Sequence, residues 1–334
     1  TQKNCQFHCS ICGQKLIRWG HSQTGSDRYF CNFCQRTSTP RKKIQSYRYR
    51  ALFRRWVLSG TTLSVLKDLK GSFVSQRTLK RYFHRFLKQH PQITPLKSRQ
   101  IIYLKIDGTY FGRWGCLLVF KERANIIFWD FVQRENYFNY TLNLGRIKEL
   151  GYDVLGVTSD WHGSLVSAVK TTFPDVPHQR CLVHTQRLCQ SLLTRKPETE
   201  AGQNLLELVS LLNSVKTPSE KGVWIAWLTR FEERYGDFVK TRTYGINKEG
   251  KKGWWFTHRN LRRAFTTLKK SLPNLFIYLN NPSIGKDTNG LESEFSHLED
   301  KLANRRGLKR STRVNYLKWY CYLKSVHFKD RKST

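Results

Sequence analysis

The order of apolar segments between residues 100 and 196 constrains the fold of this chain more than any other feature. Three short β-rich runs, IIYLKIDGTYF, GCLLVFK and NIIFWDFVQ, follow one another with turn residues between them, which predicts a meander. Helical and strand patterns then alternate through YFNYTLNLGRIKEL, DVLGVTS, SLVSAVKTTF, a short strand around HQRC, and TQRLCQSLL. A meander followed by alternating helices and strands predicts an α/β fold built on a mixed sheet.

Three carboxylates stand at notable places in this order. Asp107 lies in the first strand, Asp160 follows the fourth strand, and Glu292 opens a later predicted helix. The order of the elements and of these acids is that of a ribonuclease-H-like fold. The chain has 59 Lys and Arg against 24 Asp and Glu, and acids that converge in so basic a protein need a counter-charge, which divalent metal ions supply.

Each acid taken alone also has an ordinary explanation. An Asp at a strand end is often a turn residue, and a Glu in the first turn of a helix interacts favourably with the helix dipole. Glu294 and Glu299 follow in the same predicted helix and are alternatives to Glu292 as the third acid. A site is therefore predicted from the three acids together and from none of them alone.

The first 44 residues carry two Cys-x-x-Cys pairs, Cys9 with Cys12 and Cys31 with Cys34. Clustered cysteines in an intracellular protein favour metal over disulfides, and two such pairs hold four thiolates around one Zn²⁺ ion. Residues 1–44 are therefore predicted to form a zinc ribbon whose single zinc ion is structural. A ribbon this small has little apolar core and is expected to fold only with its metal.

Residues 45–96 are predicted to form three helices with short joints. Thr61 and Ser75 are the expected N-caps, and Gly60 and Gly71 the expected stops. The pattern is typical of a helix-turn-helix-like DNA-binding segment, and an ordinary three-helix bundle is the alternative. In the DNA-binding interpretation the third helix contacts DNA through Gln76, Arg77, Lys80, Arg81 and Arg85.

The remaining chain divides into three further predicted regions. Residues 97–196 and 287–325 form the catalytic domain, residues 197–286 form a helical insertion, and residues 326–334 form a basic tail. The insertion carries Trp224, Trp227, Trp254 and Trp255. Tryptophans at helical spacing belong more often to a core than to a surface that stacks on unpaired bases, so core is the preferred reading.

The formal net charge of +35 is far larger than solubility requires and predicts a polyanionic partner. A ribosome-associated or merely basic protein is the alternative. No apolar stretch approaches the roughly 18 residues of a membrane span, and no hydrophobic leader begins the sequence. The chain is therefore expected to be soluble and cytoplasmic, without a membrane partner.

One stretch, VTSDWHGSLVSAVKTTFPDVPHQRCLVHTQRLC, resembles the central signature of Mutator-like DDE transposases and their bacterial insertion-sequence relatives. The downstream Thr-Asn before Glu292 and the later Arg-Gly also match, and Asp107 corresponds to the family's first acid. The matching residues are Asp160, Gly163, Phe173, Pro174, Gln179, Arg180, Cys181, His184, Arg187, Thr288, Asn289, Glu292, Arg306 and Gly307.

The resemblance implies an enzyme that binds transposon-end DNA, cleaves it, and joins the freed 3′-hydroxyl to target DNA. Asp107, Asp160 and Glu292 would hold two Mg²⁺ or Mn²⁺ ions, the pair needed for in-line phosphodiester chemistry. Arg305 and Arg306 would add DNA contacts, and Cys181 with His184 would have a local structural or DNA-positioning role.

Such an enzyme is expected to act as a homodimer on double-stranded DNA, at terminal inverted repeats and target sites, near the nucleoid of a prokaryotic host. Two alternatives stay open. One is a DNA-binding regulator that keeps the fold without catalysis, and the other is a ribonuclease-H-like nuclease without strand transfer.

Overall fold

The computed structural model describes residues 7–9, 12–23, 25–39, 43–68, 75–91, 93–246, 250–305 and 307–325, with side chains of the first helix described from residue 49. The chain divides into two compact units, Thr1–Phe83 and His84–Thr334. The predicted stop Gly71, the predicted contact Arg306 and the predicted tail at 326–334 lie outside the described residues.

The first unit begins with a small antiparallel sheet of three strands in the order β1-β2-β3. The strands are β1 (Ile17–His21), β2 (Asp27–Cys31) and β3 (Arg36–Ser38). Among the described residues between 7 and 39, only Leu16 and Cys31 are fully buried. The apolar contribution to the stability of this sheet is therefore small, as expected for a ribbon that depends on metal.

Three helices follow: α1 (Lys43–Ser59), α2 (Leu63–Asp68) and α3 (Gln76–Leu87). Their core contains Phe53, Trp56, Leu66, Leu79 and Phe83, each at most 5% exposed. The α1 helix ends at Ser59, and the next residue, Gly60, has a φ of 72°, a left-handed conformation that glycine adopts without strain.

The N-cap residue of α3 is the predicted one, whereas that of α2 differs from the prediction. The Ser75 hydroxyl accepts a hydrogen bond from the amide of Thr78 at 3.3 Å, as an N-cap does. For α2 the amide of Val65 donates to the hydroxyl of Thr62 at 3.5 Å, so the cap is Thr62 and not the predicted Thr61. Either threonine has the right side chain, and only the backbone path selects one.

The second unit is built on a five-stranded mixed sheet, which confirms the predicted α/β class. Its order is β6-β5-β4-β7-β8, with β4 to β6 antiparallel and with β7 and β8 parallel to β4. The elements are β4 (Gln100–Tyr110), β5 (Cys116–Glu122), β6 (Asn125–Val132), α4 (Tyr137–Glu149), β7 (Tyr152–Ser159), α5 (Gly163–Thr172) and β8 (His178–Arg180).

Alternation along β4 gives the two faces of the sheet different neighbours. Ile102, Leu104 and Ile106 pack in one apolar core with residues of α4 and α5. Asp107 points to the opposite face because successive side chains of a strand alternate. Burial of six of the seven residues of β5 shows that both faces of the sheet are covered.

A second apolar core lies in the helices that follow β8. The elements are α6 (Leu182–Leu193), α7 (Glu200–Ser210), α8 (Pro218–Lys240), β9 (Arg242–Ile246), β10 (Lys252–Phe256), α9 (Arg259–Leu275) and α10 (Ile277–Asn280). Two helices complete the unit, α11 (Asn289–Ala303) and α12 (Arg310–Lys324).

The tryptophans of this region divide between core and surface. Trp224 is 2% exposed, and its indole donates to the carbonyl of Leu208 at 3.0 Å. Trp227, Trp254 and Trp255 are each 45–47% exposed. The prediction that these tryptophans belong to the core is therefore right for one of the four, Trp224. The region also contains an antiparallel hairpin, β9–β10, which the prediction of a helical insertion did not include.

None of the helices in the described part of the chain is both long enough and apolar enough to cross a membrane.

Candidate active site

The sheet places two of the predicted acids side by side. Ile106 of β4 and Ser159 of β7 are register partners in a parallel pair, so the next residues, Asp107 and Asp160, stand at the same edge. Asp107 is only 7% exposed, and Asp160 is partly buried. The carboxyl ends of adjacent parallel strands thus bring together two acids that are distant in sequence.

Glu292, in the first turn of α11, supplies the third carboxylate. Nη1 of Arg187 donates to both of its oxygens, at 2.6 Å and 2.5 Å. Nε2 of His184 lies 3.3 Å from the same carboxylate. His184 and Arg187 are one turn apart on α6, so a single helix face holds Glu292 from one side.

The three carboxylates interact electrostatically. Burial raises the pKa of Asp107 to about 7, the nearby His184 opposes that shift, and the charges of Asp160 and Glu292 add to it. Asp160 and Glu292 both act on the charge of the buried Asp107, and the hydrogen bond from Thr109 to Glu299 joins α11 to the end of β4, so the three acids belong to one end of the sheet. Their role as metal ligands stays a prediction.

Cys181 and His184 link α6 to the start of α11. The buried thiol of Cys181 accepts hydrogen bonds from the amide and hydroxyl of Thr288, at 3.4 Å and 3.5 Å. The Thr288 hydroxyl also lies 3.2 Å from Nδ1 of His184. Since Thr288 is the N-cap residue of α11, these contacts position the helix that carries Glu292. This arrangement favours the structural role over a metal-binding one.

The same contacts explain the protonation of the pair. Burial by itself would raise the pKa of the Cys181 thiol, but hydrogen bonds with His184 and Thr288 bring it below its ordinary value. The hydrogen bond to Cys181 is the main cause that raises the pKa of His184 to about 9, against the effect of burial. A protonated His184 then faces Glu292 as a cation near neutral pH.

A strained residue follows Asp160. Trp161 has a φ of 74°, a conformation that costs a bulky residue on the order of 1–3 kcal/mol. Its amide donates to the Ser159 hydroxyl at 3.2 Å, and its ring packs on His178 with 4.8 Å between centroids. The amide of His162 donates to Asp160 Oδ1 at 3.0 Å. The turn therefore orients the Asp160 carboxylate directly.

A fourth acid, Glu135, lies close to the site and was missed by the sequence reasoning. Its Oε1 accepts hydrogen bonds from the hydroxyl of Tyr140 at 3.0 Å and from the thiol of Cys116 at 3.6 Å. A Cβ atom at position 108 would overlap that oxygen, so Gly108, next to Asp107, leaves the space that Glu135 occupies. Burial, Glu135 and Asp160 together raise the pKa of the Tyr140 hydroxyl. In the sequence, the signal that could have pointed to a neighbouring side chain such as Glu135 was Gly108, the glycine directly after Asp107.

The alternative acids of α11 have other partners. Glu294 accepts hydrogen bonds from the hydroxyl of Tyr320 at 3.1 Å and from Lys324 at 3.2 Å. Glu299 accepts one from the hydroxyl of Thr109 at 3.1 Å. The charge of Glu292 is among the main causes of the raised pKa of Asp107. This favours Glu292 as the third member of the group.

The four predicted zinc ligands form one cluster, and it is the only group of at least three Cys, His, Asp or Glu among the described residues whose ligand atoms lie within 4.8 Å of one another. Sulfur–sulfur distances are 3.9 Å between Cys9 and Cys34 and 3.5 Å between Cys12 and Cys31. Four thiolates at tetrahedral Zn–S distances lie about 3.8 Å apart. The cluster could therefore hold a structural zinc ion.

The neighbouring thiols of the cluster raise the pKa of the Cys34 thiol. Hydrogen bonding with Cys12, followed by burial and by contacts with Cys9 and Cys31, raises the pKa of Cys34 to about 12. Crowded thiols disfavour a lone thiolate, and a bound cation would remove that penalty. The amide of Cys34 also donates to the sulfur of Cys31 at 3.4 Å, a contact suited to a metal-bound thiolate.

The predicted DNA-contacting residues fall into two groups. One face of α3 buries Leu79, Phe83 and Leu87, while every predicted contact on that helix is exposed: Gln76, Arg77, Lys80, Arg81 and Arg85. Arg305 differs from them, since it is 5% exposed with its guanidinium 5.8 Å from the ring centre of Tyr316. The buried Arg305 holds α12 against the end of α11, so little of its guanidinium is accessible to a DNA phosphate.

Comparison with known proteins adds one finding. Residues 122–235 match the model of a family described as Transposase, Mutator family. The matched segment covers about a third of the chain and contains Asp160, Cys181, His184 and Arg187, whereas Asp107 and Glu292 lie outside it. No curated protein matches the chain significantly.

Proposed function

The match over residues 122–235 supports a Mutator-like transposase, and on this premise we propose that the protein cleaves transposon-end DNA and joins the freed 3′-hydroxyl to target DNA. The observation that carries the proposal is the convergence of Asp107, Asp160 and Glu292 at one end of the sheet. The strand order β6-β5-β4-β7-β8, with the last two strands parallel to β4, further supports a ribonuclease-H-like catalytic domain.

The donor set at this end of the sheet fits Mg²⁺ or Mn²⁺. Burial raises the pKa of Asp107 to about 7 and the charges of Asp160 and Glu292 add to that shift, so a bound divalent cation would favour the ionised carboxylate. Hard divalent ions prefer such oxygen ligands. Asp107, Asp160 and Glu292 would hold two ions, which when bound activate the attacking oxygen and stabilise the leaving one.

The surrounding residues orient the three acids. The turn at Trp161 and His162 fixes Asp160, and Thr288 with Cys181 fixes the start of α11. Arg187 neutralises Glu292 by contacting both of its oxygens. Glu292 must therefore release or share Arg187 when it binds an ion, and this exchange makes Arg187 a candidate for tuning metal affinity.

We assign end recognition to the first unit. A zinc-dependent ribbon and the exposed basic face of α3 suit contacts to duplex DNA, and the net charge of +35 favours phosphate binding. Two transposon ends must be brought together for paired cleavage, so a homodimer on DNA is proposed as the working form.

The test compares Asp107→Asn, Asp160→Asn and Glu292→Gln with the control Glu299→Gln. A plasmid that carries the coding sequence with its native flanking DNA is the substrate for excision, and purified protein is assayed for Mg²⁺-dependent cleavage and joining. Each of the three variants is expected to keep DNA binding and to lose activity by several orders of magnitude. Glu299→Gln is expected to stay active, since an amide can still accept from Thr109.

Three outcomes would change the proposal. Cleavage that survives all three substitutions contradicts the role of the acids. Wild-type protein that cleaves but never joins indicates a nuclease. Specific DNA binding without any cleavage by the wild type indicates a regulator.

A further inference from the structure

The β9–β10 hairpin carries aromatic side chains on an exposed face. Tyr244 and Trp254 are register partners, so their side chains lie next to each other on the same face of the hairpin. Tyr244 is 73% exposed and Trp254 is 47% exposed. Phe256, two residues further along β10, meets Trp254 edge to face with 5.2 Å between centroids. The result is a row of three rings, two of them open to solvent.

Cations are interleaved with these rings. The guanidinium of Arg242 lies 4.0 Å from the ring centre of Trp254, and that of Arg262 lies 3.8 Å from the ring centre of Phe256. Lys252 shares the same face, as the partner of Ile246. The described part of the hairpin, 242–246 and 250–256, contains no acidic residue. This composition suits a polyanion and not an apolar protein surface.

The opposite face of the hairpin makes contacts within the hairpin. The ring of Trp255 lies over Gly245, where a Cβ atom would be 3.0 Å from the ring. At the base of the hairpin the amide of Thr257 donates to the carbonyl of Thr241 at 3.0 Å, and Phe238 stacks on His258 with 4.0 Å between centroids. Trp255 thus lies over Gly245 on one face of the hairpin, whereas Trp254, equally exposed, lies beside Tyr244 and Phe256 on the other.

The hairpin is firmly connected to the sheet that bears the acids. The helix α9 follows β10 directly, and its last residue, Leu275, accepts a hydrogen bond through its carbonyl from the side chain of Gln179 in β8 at 2.7 Å. The side chain of Asn274 donates to the carbonyl of His178 at 3.0 Å. Since β8 pairs with β7, which ends beside Asp160, the hairpin is held by the same framework as the site.

We propose that the face formed by Tyr244, Trp254 and Phe256 binds unpaired bases of DNA. Flat rings at hairpin spacing offer stacking surfaces to bases of any identity, and the interleaved cations offer contacts to the backbone phosphates. The guanidinium of Arg242 lies over the ring of Trp254, which places a cation beside the proposed stacking surface. The inference goes beyond the proposed function, because cleavage and joining by carboxylates do not by themselves require a site for single-stranded DNA.

The test measures binding of full-length, zinc-loaded protein to two labelled DNAs without divalent metal. One is a blunt duplex, and the other is the same duplex with a single-stranded extension of about six nucleotides. The wild type is expected to prefer the extended DNA, and Trp254→Ala is expected to reduce that preference about five- to a hundredfold, with a smaller loss for Tyr244→Ala. A 2-aminopurine base in the extension should be quenched by the wild type and not by Trp254→Ala.

The matched control is Trp227→Ala, which removes a tryptophan of similar exposure from α8 outside the hairpin. Trp254→Phe, which keeps a flat ring, should restore part of the preference, and its folding can be compared by thermal melting. Equal losses in Trp254→Ala and Trp227→Ala overturn the inference. So does a wild type without any preference for the extension, or a Trp254→Ala protein that changes only in oligomeric mass.

Failure of this inference is distinguishable from failure of the proposed function. Asp107→Asn is expected to lose cleavage and to keep the preference for the extended DNA. If Asp107→Asn cuts normally while the preference depends on Trp254, only the assignment of the acids is wrong. If Asp107→Asn is inactive and Trp254→Ala binds like the wild type, only the hairpin inference is wrong.

Discussion

The ribbon at the start of the chain and the sheet of the second unit use cysteine in opposite ways. Cys9, Cys12, Cys31 and Cys34 cluster in a segment whose described residues include almost no buried apolar side chains, so we expect a bound metal to supply the energy that a core would otherwise supply. Cys181 and His184 sit inside a large apolar framework, where they bind each other and Thr288. A Cys-x-x-His spacing therefore indicates a metal site only where the surroundings lack another way to satisfy the thiol.

The largest expected effect is loss of the ribbon fold. The paired substitution Cys9→Ser and Cys12→Ser removes half of the predicted zinc ligands. In small zinc domains, binding of the metal by the complete site contributes about 10–16 kcal/mol to folding. Elemental analysis should show loss of one zinc per chain, and limited proteolysis should cut within residues 7–39 while the second unit stays intact. Zinc content equal to the wild type would contradict the assignment of these ligands.

The next effect concerns Asp107 and pH. Its pKa of about 7 in the folded protein lies above its ordinary value of 3.8, so the folded state holds the proton more tightly than the unfolded state does. The resulting stability is complete below about pH 3.8 and is lost as the pH rises through about 7. Asp107→Asn should remove that dependence and make the protein more stable than the wild type above pH 7, by at most a few kcal/mol.

Urea unfolding of zinc-loaded protein at pH 5 and pH 8, without Mg²⁺ or Mn²⁺, measures this difference. Glu299→Gln serves as the control, because Glu299 contacts the Thr109 hydroxyl and is not among the main causes of the raised pKa of Asp107. A wild type whose stability is the same at both pH values, or rises with pH while Asp107→Asn does not, would show that Asp107 is ionised throughout.

A smaller effect tests the second half of the comparison. Cys181→Ala leaves the buried amide and hydroxyl of Thr288 without their sulfur acceptor, which should cost about 1–3 kcal/mol. The zinc content should remain at one ion per chain, because Cys181 takes no part in the ribbon cluster. Calorimetry with Mn²⁺ should also show weaker binding, since α11 and Glu292 lose their alignment. Loss of zinc in this variant would mean that the two motifs are not independent.

The smallest effect concerns the helices of the first unit, which have a core that the ribbon lacks. Ser75→Ala removes the hydroxyl that accepts from the amide of Thr78 and should cost about 1 kcal/mol. Ser75→Asn, which can still cap the helix, should stay close to the wild type in the same denaturation experiment. A cost well above 2 kcal/mol would indicate that Ser75 has a role beyond capping.

Much of the fold was predictable because the signals are local. Alternation and apolar runs located β4 to β7, and the Cys-x-x-Cys spacing identified the ribbon ligands. The end of α1 was also predicted, because one residue, Gly60, is enough to stop that helix. The hairpin at Trp254 was not found, because GWWF has no alternation with polar residues and lies between strong helical patterns.

Local periodicity predicted most of the elements and the residue types at their ends, since helix and strand patterns depend on neighbours a few positions apart. Packing between distant segments selects which of these residues meet. Arg187 and Glu292 form their ion pair across 105 positions, and Glu135 fits beside Asp107 only because Gly108 has no side chain. The burial of Arg305 and the exposure of Trp254 likewise follow from the packing of distant segments, since an exposed and a buried side chain can have the same local sequence context.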